Sequence, residues 1–349
     1  VAAATAADVD KLSAAAAADV AVTGNQATSL DISIDTATNP GQQDSLKLTL
    51  DNATATTATT VAGFVSVGTE TLTIHSTGAG TNTNTFELAA ANDKLQKIVL
   101  TGDSKFTLTD AADMACEVEI DGSALTNTTT ITVNQNASGM TIKGSATAAN
   151  TITGGTGIDI ITGGTGNDNL HNTVGVDVID CVSGSDVVHL TMATAAALDT
   201  NRVTIKNFDV ATDSLDLNGT AFSALGAGGN DDITGGDIVT GEWSSQAAAG
   251  SFTVADPVAV LELAWEFSSS VDLDSEAAGS LAGTNLLAAM GGTAGSTAGT
   301  ITTAGQNEDL MIVAYQDGDA LIYHGNGAGG NTALVASEIE LIATIEGVA

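Results

Sequence analysis

The sequence predicts an all-β fold: a right-handed parallel β-solenoid, followed by a small C-terminal β-rich region with a short helix. Short runs in which every second residue is apolar, such as SLKLTLD, ETLTIH and TTITV, follow one another from residue 29 onward. This alternation is expected of half-buried strands. The centres of the runs recur about every 20 residues, which is the length of one solenoid coil.

The composition agrees with stacked strands. Hydrophobic residues make up 43% of the chain, but only 3% of the residues are aromatic and there are two prolines. A core of aliphatic side chains suits regularly stacked strands. An antiparallel β-sandwich also has short strands separated by turns, so it remains the alternative for residues 29–144. The regular period favours the solenoid, because it runs directly into a shorter repeat.

The charge balance is strongly acidic. Asp and Glu number 42 against 8 Lys and Arg, for a formal net charge of −34. Phosphate recognition needs basic side chains, so we expect no nucleic-acid partner. Such a surface repels itself unless cations screen or bind it. Two states fit: a halophilic surface solvated by salt, or a protein that takes up divalent cations at carboxylates placed in sites.

Four regions are expected along the chain. Residues 1–28 are Ala-rich and form a helix or a linker, 29–144 form solenoid coils, 145–219 hold the repeat and a capping segment, and 220–349 form the C-terminal region. In the last region DSEAAGSLAGTNLLAAM predicts a helix, and DLMIVAYQ, DALIYHG and IELIATIEGV predict strands. No run of 18 apolar residues exists, so we expect no transmembrane segment. Cys116 and Cys181 are interpreted as two buried thiols.

A nine-residue phrase begins at Gly154 and occurs four times, as GGTGIDIIT, GGTGNDNLH, NTVGVDVID and CVSGSDVVH. One aspartate and one glycine keep strict register in every copy. The upstream segment SATAANTIT fits the phrase less closely and places Asn150 in the aspartate position. The residues in register are Asp159, Asp168, Asp177 and Asp186, and Gly157, Gly166, Gly175 and Gly184.

Each phrase supplies oxygen ligands. Three residues at its end form a short strand, and the six before it form a turn in which glycines aim carbonyl oxygens at one point. The aspartate adds a carboxylate, and a cation with six to eight oxygen ligands, Ca²⁺, fits that supply better than Mg²⁺. The turn residues expected to contribute are Gly154, Gly155, Thr156, Gly157, Gly163, Gly164, Thr165, Gly166, Gly175 and Gly184.

Two phrases make one full coil, so turns alternate between two sides. Asp159 is therefore expected to face Asp177, and Asp168 to face Asp186, while Asn150 faces Asp168 as a weaker neutral ligand. Stacked carboxylates repel each other without metal and are bridged when it is present. Folding and calcium binding are therefore expected to be coupled.

The phrase resembles the RTX nonapeptide G-G-x-G-x-D-x-U-x, the hemolysin-type calcium-binding repeat. The first two copies match every defined position, whereas the third begins with Asn172-Thr173 and the fourth with Cys181-Val182. The resemblance implies a parallel β-roll that binds several Ca²⁺ ions, as in secreted bacterial proteins. It does not distinguish toxins, proteases, lipases, adhesins and surface-layer proteins.

The flanking segments narrow this choice. The segment beginning IDGSALTNTTTITV resembles the coils that precede RTX repeats in bacterial surface-layer (S-layer) proteins. VTIKNFDVATDSLDLNG resembles the segment that follows an RTX array, where Asp209, Asp213 and Asp216 are candidates for a further cation. ASEIELIATIEGV resembles the uncleaved C-terminal signal of type I secretion, which implies an extracellular location and accounts for a chain that begins without an N-terminal signal peptide.

No catalytic motif is present. The sequence has neither the H-E-x-x-H of zinc proteases nor the G-x-S-x-G of lipases. We therefore expect a structural protein of a surface layer that assembles with copies of itself, with cell-surface polysaccharide as a further partner. The alternatives are a calcium-dependent adhesin or filament subunit, and the accessory region of an enzyme whose catalytic domain lies outside this chain.

Overall fold

The fold is almost entirely β, and the chain divides into two compact units. Unit 1 comprises residues 1–188 and 211–214, and unit 2 comprises 189–210 and 215–349. The computed structural model describes residues 12–14, 17–22, 30–34, 44–52, 58–78, 82–89, 94–110, 118–133, 138–190, 202–216, 243–253, 260–267, 272–273, 282–291, 299–302, 309–326 and 332–348.

The first seventeen strands alternate between two sheets. They are β1 (Leu12–Ala14), β2 (Ala17–Val22), β3 (Leu30–Ile34), β4 (Ser45–Asn52), β5 (Thr60–Val67), β6 (Thr71–Gly78), β7 (Asn84–Leu88), β8 (Lys97–Gly102), β9 (Phe106–Asp110), β10 (Val118–Leu125), β11 (Thr129–Val133), β12 (Met140–Lys143), β13 (Asn150–Thr153), β14 (Ile160–Gly164), β15 (Asn169–His171), β16 (Val176–Val182) and β17 (Val187–His189).

Unit 1 is a parallel β-solenoid. Its odd-numbered strands lie side by side in one sheet and its even-numbered strands in another. The registered pairs run parallel, as between β4 and β6 or between β11 and β13. Each coil therefore gives one strand to each sheet, and the described part of residues 29–144 is not an antiparallel sandwich. The alternating sequence pattern correctly predicted strands such as β4, β6 and β11, whereas β5 and β7 were not predicted.

The Ala-rich N-terminal segment differs from the expectation of a helix. Strand β1 pairs in parallel with β3, and β2 pairs with β4 along its whole length. Alanine favours helices by less than about 1 kcal/mol per residue. A neighbouring coil that supplies a full ladder of backbone partners outweighs that preference, so the described residues of this segment are strands.

The coils shorten along the chain. Residues in equivalent positions are 26 residues apart at Asp44 and Glu70, and 22 apart at Lys97 and Glu119. The separation falls to 19 between Met140 and Asp159 and to 18 between Asp159 and Asp177. The nine-residue phrase is therefore half of the shortest coil, and longer coils precede it.

Aliphatic ladders fill the interior of the coils. Strand residues alternate between buried and half-buried, and β7, β9 and β11 each begin and end with a buried residue. Full burial of each such side chain contributes about 1.5–3 kcal/mol. One ladder in register through the even-numbered strands consists of Leu46, Leu72, Ile98, Ile120, Ile142, Ile161 and Ile179, all of them buried.

Later strands and one helix belong mainly to unit 2. They are β18 (Arg202–Lys206), β19 (Ser214–Asp216), β20 (Trp243–Gln246), β21 (Phe252–Thr253), β22 (Val260–Phe267), α1 (Ala282–Met290), β23 (Ile301–Thr302), β24 (Asp309–Gln316), β25 (Asp319–Asn326), a 3-10 turn (Ala336–Glu338) and β26 (Ile339–Ile345). The three predicted C-terminal strands are present, and the helix predicted over 274–290 is present at 282–290; residues 274–281 lie outside the described residues.

Unit 2 has a mixed sheet in the order β18-β26-β25-β24-β22-β20. Strands β24, β25 and β26 run antiparallel, while β24 pairs in parallel with β22. The turn between β24 and β25 is Asp317-Gly318, and both residues have positive φ, as two-residue hairpin turns require. Leu286 and Met290 of α1 lie in the same buried cluster as Leu310 and Tyr323. No helix among the described residues has the length and apolarity needed to cross a membrane.

Candidate metal centre

Buried aspartates form two columns at the turns of unit 1. In the first column, the backbone N–H of one residue donates to Oδ1 of the acidic residue one coil further on. The N–H of Asn150 reaches Asp168 at 2.7 Å, that of Asp168 reaches Asp186 at 2.8 Å, and that of Asp186 reaches Asp213 at 2.8 Å. The pairing of Asp168 with Asp186, predicted from the spacing, is confirmed.

The second column lies at the other turns. The N–H of Met140 donates to Oδ1 of Asp159 at 2.8 Å, and the N–H of Asp159 donates to Oδ1 of Asp177 at 3.0 Å. The predicted pairing of Asp159 with Asp177 is therefore also present. In both columns one carboxylate oxygen joins adjacent coils through the backbone, and the second oxygen is left for another role.

The second oxygen has no partner in three of these residues. Oδ2 of Asp159, Asp168 and Asp186 is buried and makes no hydrogen bond. These residues are at most 1% exposed, and none of them forms an ion pair with a described basic residue. A buried carboxylate oxygen without donor or cation is costly. A hydrogen-bond donor or a cation beside each of these atoms would offset that cost.

The leading glycines of the phrase make room beside these oxygens. A Cβ at Gly154 would collide with Oδ2 of Asp159, and a Cβ at Gly163 would collide with Oδ2 of Asp168. Any other residue would displace the carboxylate. In the third and fourth phrases the position is filled by Asn172 and Cys181, both buried.

Burial raises the pKa of the four repeat aspartates, Asp159, Asp168, Asp177 and Asp186. The pKa of Asp159 rises to about 7, through loss of hydration and then repulsion by Asp177. The pKa of Asp168 rises to about 6, because burial outweighs the hydrogen bonds from Asn150. Burial also raises the pKa values of Asp177 and Asp186. The ionised form of these carboxyl groups is therefore disfavoured by burial, and a bound cation would favour it again.

The last phrase has a different composition. One ligand atom each from Cys181, Asp186 and Asp213 lies within 4.8 Å of the others. Burial and the negative charge of Asp186 raise the pKa of the Cys181 thiol to about 12. In the third phrase, Oδ2 of Asp177 accepts the backbone N–H of Thr173 at 3.2 Å. The third and fourth turns therefore differ from the first two.

The remaining turn residues form contacts between coils. Thr165 bonds the carbonyl of Ala146 through its N–H at 3.0 Å and its hydroxyl at 3.1 Å. Thr173 donates its hydroxyl to the carbonyl of Gly155. Gly155 and Gly157 are buried, whereas Thr156 is exposed. Cβ atoms at three further glycines would press on the backbone of the preceding coil; these are Gly164, Gly175 and Gly184.

The aspartates in the segment after β18 make different contacts. Asp213 joins the first column through Asp186, whereas Asp216 pairs with Nδ1 of His189 at 2.8 Å. Asp209 is exposed. The pair of His189 and Asp216 was not predicted from the sequence. Asn84 was also not predicted; it is a buried residue at the start of β7 whose amide lies among several oxygens, and no repeat marks its position.

The donor set suits a hard cation. The columns offer carboxylate and backbone carbonyl oxygens, the ligands that Ca²⁺ takes in flexible geometry. Asp159 and Asp168, with Gly154 and Gly163 leaving space beside them, are the residues that would hold it. Fold and site together define an all-β protein with a parallel solenoid and two columns of buried aspartates. No family model, no curated protein and no solved structure matches the chain.

Proposed function

We propose that this chain is a calcium-stabilised structural protein of a bacterial surface layer. The observation that carries the proposal is the set of buried Oδ2 atoms of Asp159, Asp168 and Asp186, which have no hydrogen-bond partner. A divalent cation beside these atoms supplies the missing positive charge. Calcium then closes the coils, and folding and binding become one process.

The location follows from the same coupling. A chain with a net charge of −34 that needs calcium to close its coils stays loosely folded where calcium is scarce. It becomes rigid where calcium is abundant, outside the cell. The resemblance of the C-terminal segment to type I secretion signals supports export in this way. Calcium thus acts as the signal for folding after export.

Self-assembly is supported by apolar groups on the surface of the repeat region (residues 154–189). Ile158 is 64% exposed and Ile160 is 46% exposed. Val174 and Val182 are exposed as well. Aliphatic side chains exposed next to calcium-binding turns favour contacts with neighbouring copies. Carboxylates on facing copies add sites where calcium bridges subunits.

The test is a calcium titration of chelator-treated protein, during which far-UV circular dichroism and particle size are measured on the same samples. Mg²⁺ and NaCl serve as controls. Strand signal gained only with calcium, together with sheets or large particles, is the expected result. Calcium-dependent folding without assembly would favour an adhesin, tested next with cell-surface polysaccharide, or an enzyme accessory region. Equal rescue by NaCl would favour a halophilic surface without specific sites.

A further inference from the structure

The side-chain amide of Asn150 lies within a group of oxygens. Its Nδ2 donates to the carbonyls of Ala148 at 2.9 Å, Ser145 at 3.0 Å and Gly163 at 3.3 Å, and to Oδ1 of Asp168 at 2.9 Å. An amide nitrogen carries two hydrogens. Four oxygens therefore converge on one weakly positive group, an arrangement that resembles part of a cation's ligand shell.

The orientation of this amide is fixed by its surroundings. Oδ1 of Asn150 accepts the backbone N–H of Ser145 at 2.7 Å. Reversing the amide would place N–H against N–H and would turn an acceptor toward the acceptors. Gly144 leaves the space beside the Asn150 side chain, as Gly154 and Gly163 do for the aspartates.

Asn84 repeats this arrangement in an earlier coil. Its Nδ2 donates to Oγ of Ser76 at 3.0 Å and to the carbonyls of Leu50 at 3.3 Å and Thr77 at 3.4 Å. Its Oδ1 accepts the backbone N–H of Thr59 at 3.0 Å. Asn84 is completely buried. In both coils the amide nitrogen lies among oxygens, although Oδ1 of Asn84 accepts from a residue 25 positions earlier and Oδ1 of Asn150 from one 5 positions earlier.

Both asparagines lie in one column with the aspartates. Strand pairing aligns Asn84, Phe106, Thr129 and Asn150 at the starts of β7, β9, β11 and β13. The hydrogen bond from the Asn150 N–H to Asp168 continues the column into the repeat region. Asparagine and aspartate have the same shape, but the carboxylate replaces the amide nitrogen by an oxygen. In Asp168 the carboxylate has a second oxygen, Oδ2, that makes no hydrogen bond.

We propose that Asn84 and Asn150 are built-in substitutes for the cation, and that Asn150 marks the boundary at which calcium dependence begins. This inference rests on the proposed calcium binding of the aspartate columns. Coils closed by an asparagine amide need no ion, whereas those closed by Asp168 and Asp186 do. The calcium-independent coils then form a folded end on which the repeat region assembles when calcium arrives.

The test is the variant Asn150→Asp, with calcium stoichiometry measured by titration calorimetry and equilibrium dialysis. We expect one more Ca²⁺ per chain than in the wild type, a lower melting temperature in calcium-free buffer, and recovery of that temperature with calcium but not with Mg²⁺. The matched control is Asn127→Asp. Its Nδ2 donates to a single oxygen, the carbonyl of Asp103, on an exposed turn. The Asn127→Asp substitution makes the same change of charge, and this variant should bind no additional calcium.

The outcomes separate this inference from the proposed function. A folded Asn150→Asp protein with wild-type stoichiometry, where the wild type binds calcium, overturns the inference alone. A variant that binds calcium while the wild type binds none overturns the proposed function and the calcium boundary at Asn150, and retains only the substitution of the Asn150 amide for an ion. If neither binds calcium, both fail. A variant that unfolds without calcium must refold with it, and Asn84→Asp provides a second test, with the same expectations, in an earlier coil.

Discussion

The backbone N–H of Asp168 donates to Oδ1 of Asp186 at 2.8 Å, although the two residues are 18 positions apart. The bond uses one oxygen of the Asp186 carboxylate to join two coils. The other oxygen, Oδ2, is buried without a partner. One oxygen of the side chain therefore has a structural role that the protein completes by itself, and the other is free to bind the cation that we propose.

Replacing the carboxylate tests that second role. In Asp168→Asn, the amide retains an acceptor for the Asn150 N–H and removes the buried negative charge. We expect the loss of one bound calcium, together with an increase of about 1 to 3 kcal/mol in the free energy of unfolding of calcium-free protein, because a buried and uncompensated negative charge is removed. Calorimetry and chemical denaturation measure the two effects.

The control for this variant is Asp103→Asn, an exposed aspartate on a turn of the solenoid. It changes the net charge equally and should leave both quantities unchanged. Lower stability of calcium-free Asp168→Asn would mean that Oδ2 of Asp168 has a partner after all.

The raised pKa values predict how stability depends on pH without calcium. Folding raises the pKa of Asp159 to about 7 and that of Asp168 to about 6, from an ordinary value of 3.8. The folded state therefore holds protons that the unfolded chain releases. The free energy of unfolding should be highest near pH 4 as far as these groups are concerned, fall as the pH rises to about 7, and then level off.

Chemical denaturation of calcium-free protein across this pH range measures the trend. The double variant of Asp159→Asn and Asp168→Asn should weaken it, because the titrating groups are removed. Saturating calcium should offset the loss at high pH by binding the ionised form. A calcium-free protein that gains stability between pH 4 and 7, and keeps that gain in the double variant, would contradict the proposed cost of these buried carboxylates.

The glycine beside the carboxylate predicts a steric effect. In Gly163→Ala, the new Cβ would collide with Oδ2 of Asp168. We expect a loss of about 1–3 kcal/mol of stability, typical of overpacking, and weaker calcium binding because the carboxylate must move. Gly250→Ala is the control, since a Cβ there meets only ordinary contacts. Unchanged calcium affinity in Gly163→Ala would separate the glycine from the site.

Exposed aliphatic groups predict where copies of the chain meet. Ile158→Ser and Ile160→Ser together should reduce the size of calcium-induced particles while leaving the calcium stoichiometry unchanged, since both side chains are exposed. Dynamic light scattering and calorimetry on the same samples separate the two properties. Val210→Ser, which removes an exposed aliphatic side chain outside the repeat region, is the control. Particles of wild-type size in the double variant would place the contact elsewhere.

Local patterns predicted much of the fold. Alternation of apolar residues identified strands such as β4, β6 and β11, because a strand turns its side chains to opposite faces at every step. Runs of helix-favouring residues near the C-terminus predicted α1. The Ala-rich start was misjudged as a helix or a linker because its strand partners, β3 and β4, are supplied by later coils.

The candidate metal centre was also predicted only in part from the sequence. The sequence by itself determined which aspartates face each other, since a fixed nine-residue spacing brings every second phrase to the same side of a coil. Only the tertiary structure decided which oxygen of each carboxylate binds the backbone, that Asp213 joins Asp186, and that the amide of Asn84 lies among oxygens. These contacts depend on atoms contributed by neighbouring coils, and the order of residue types along one strand does not specify them.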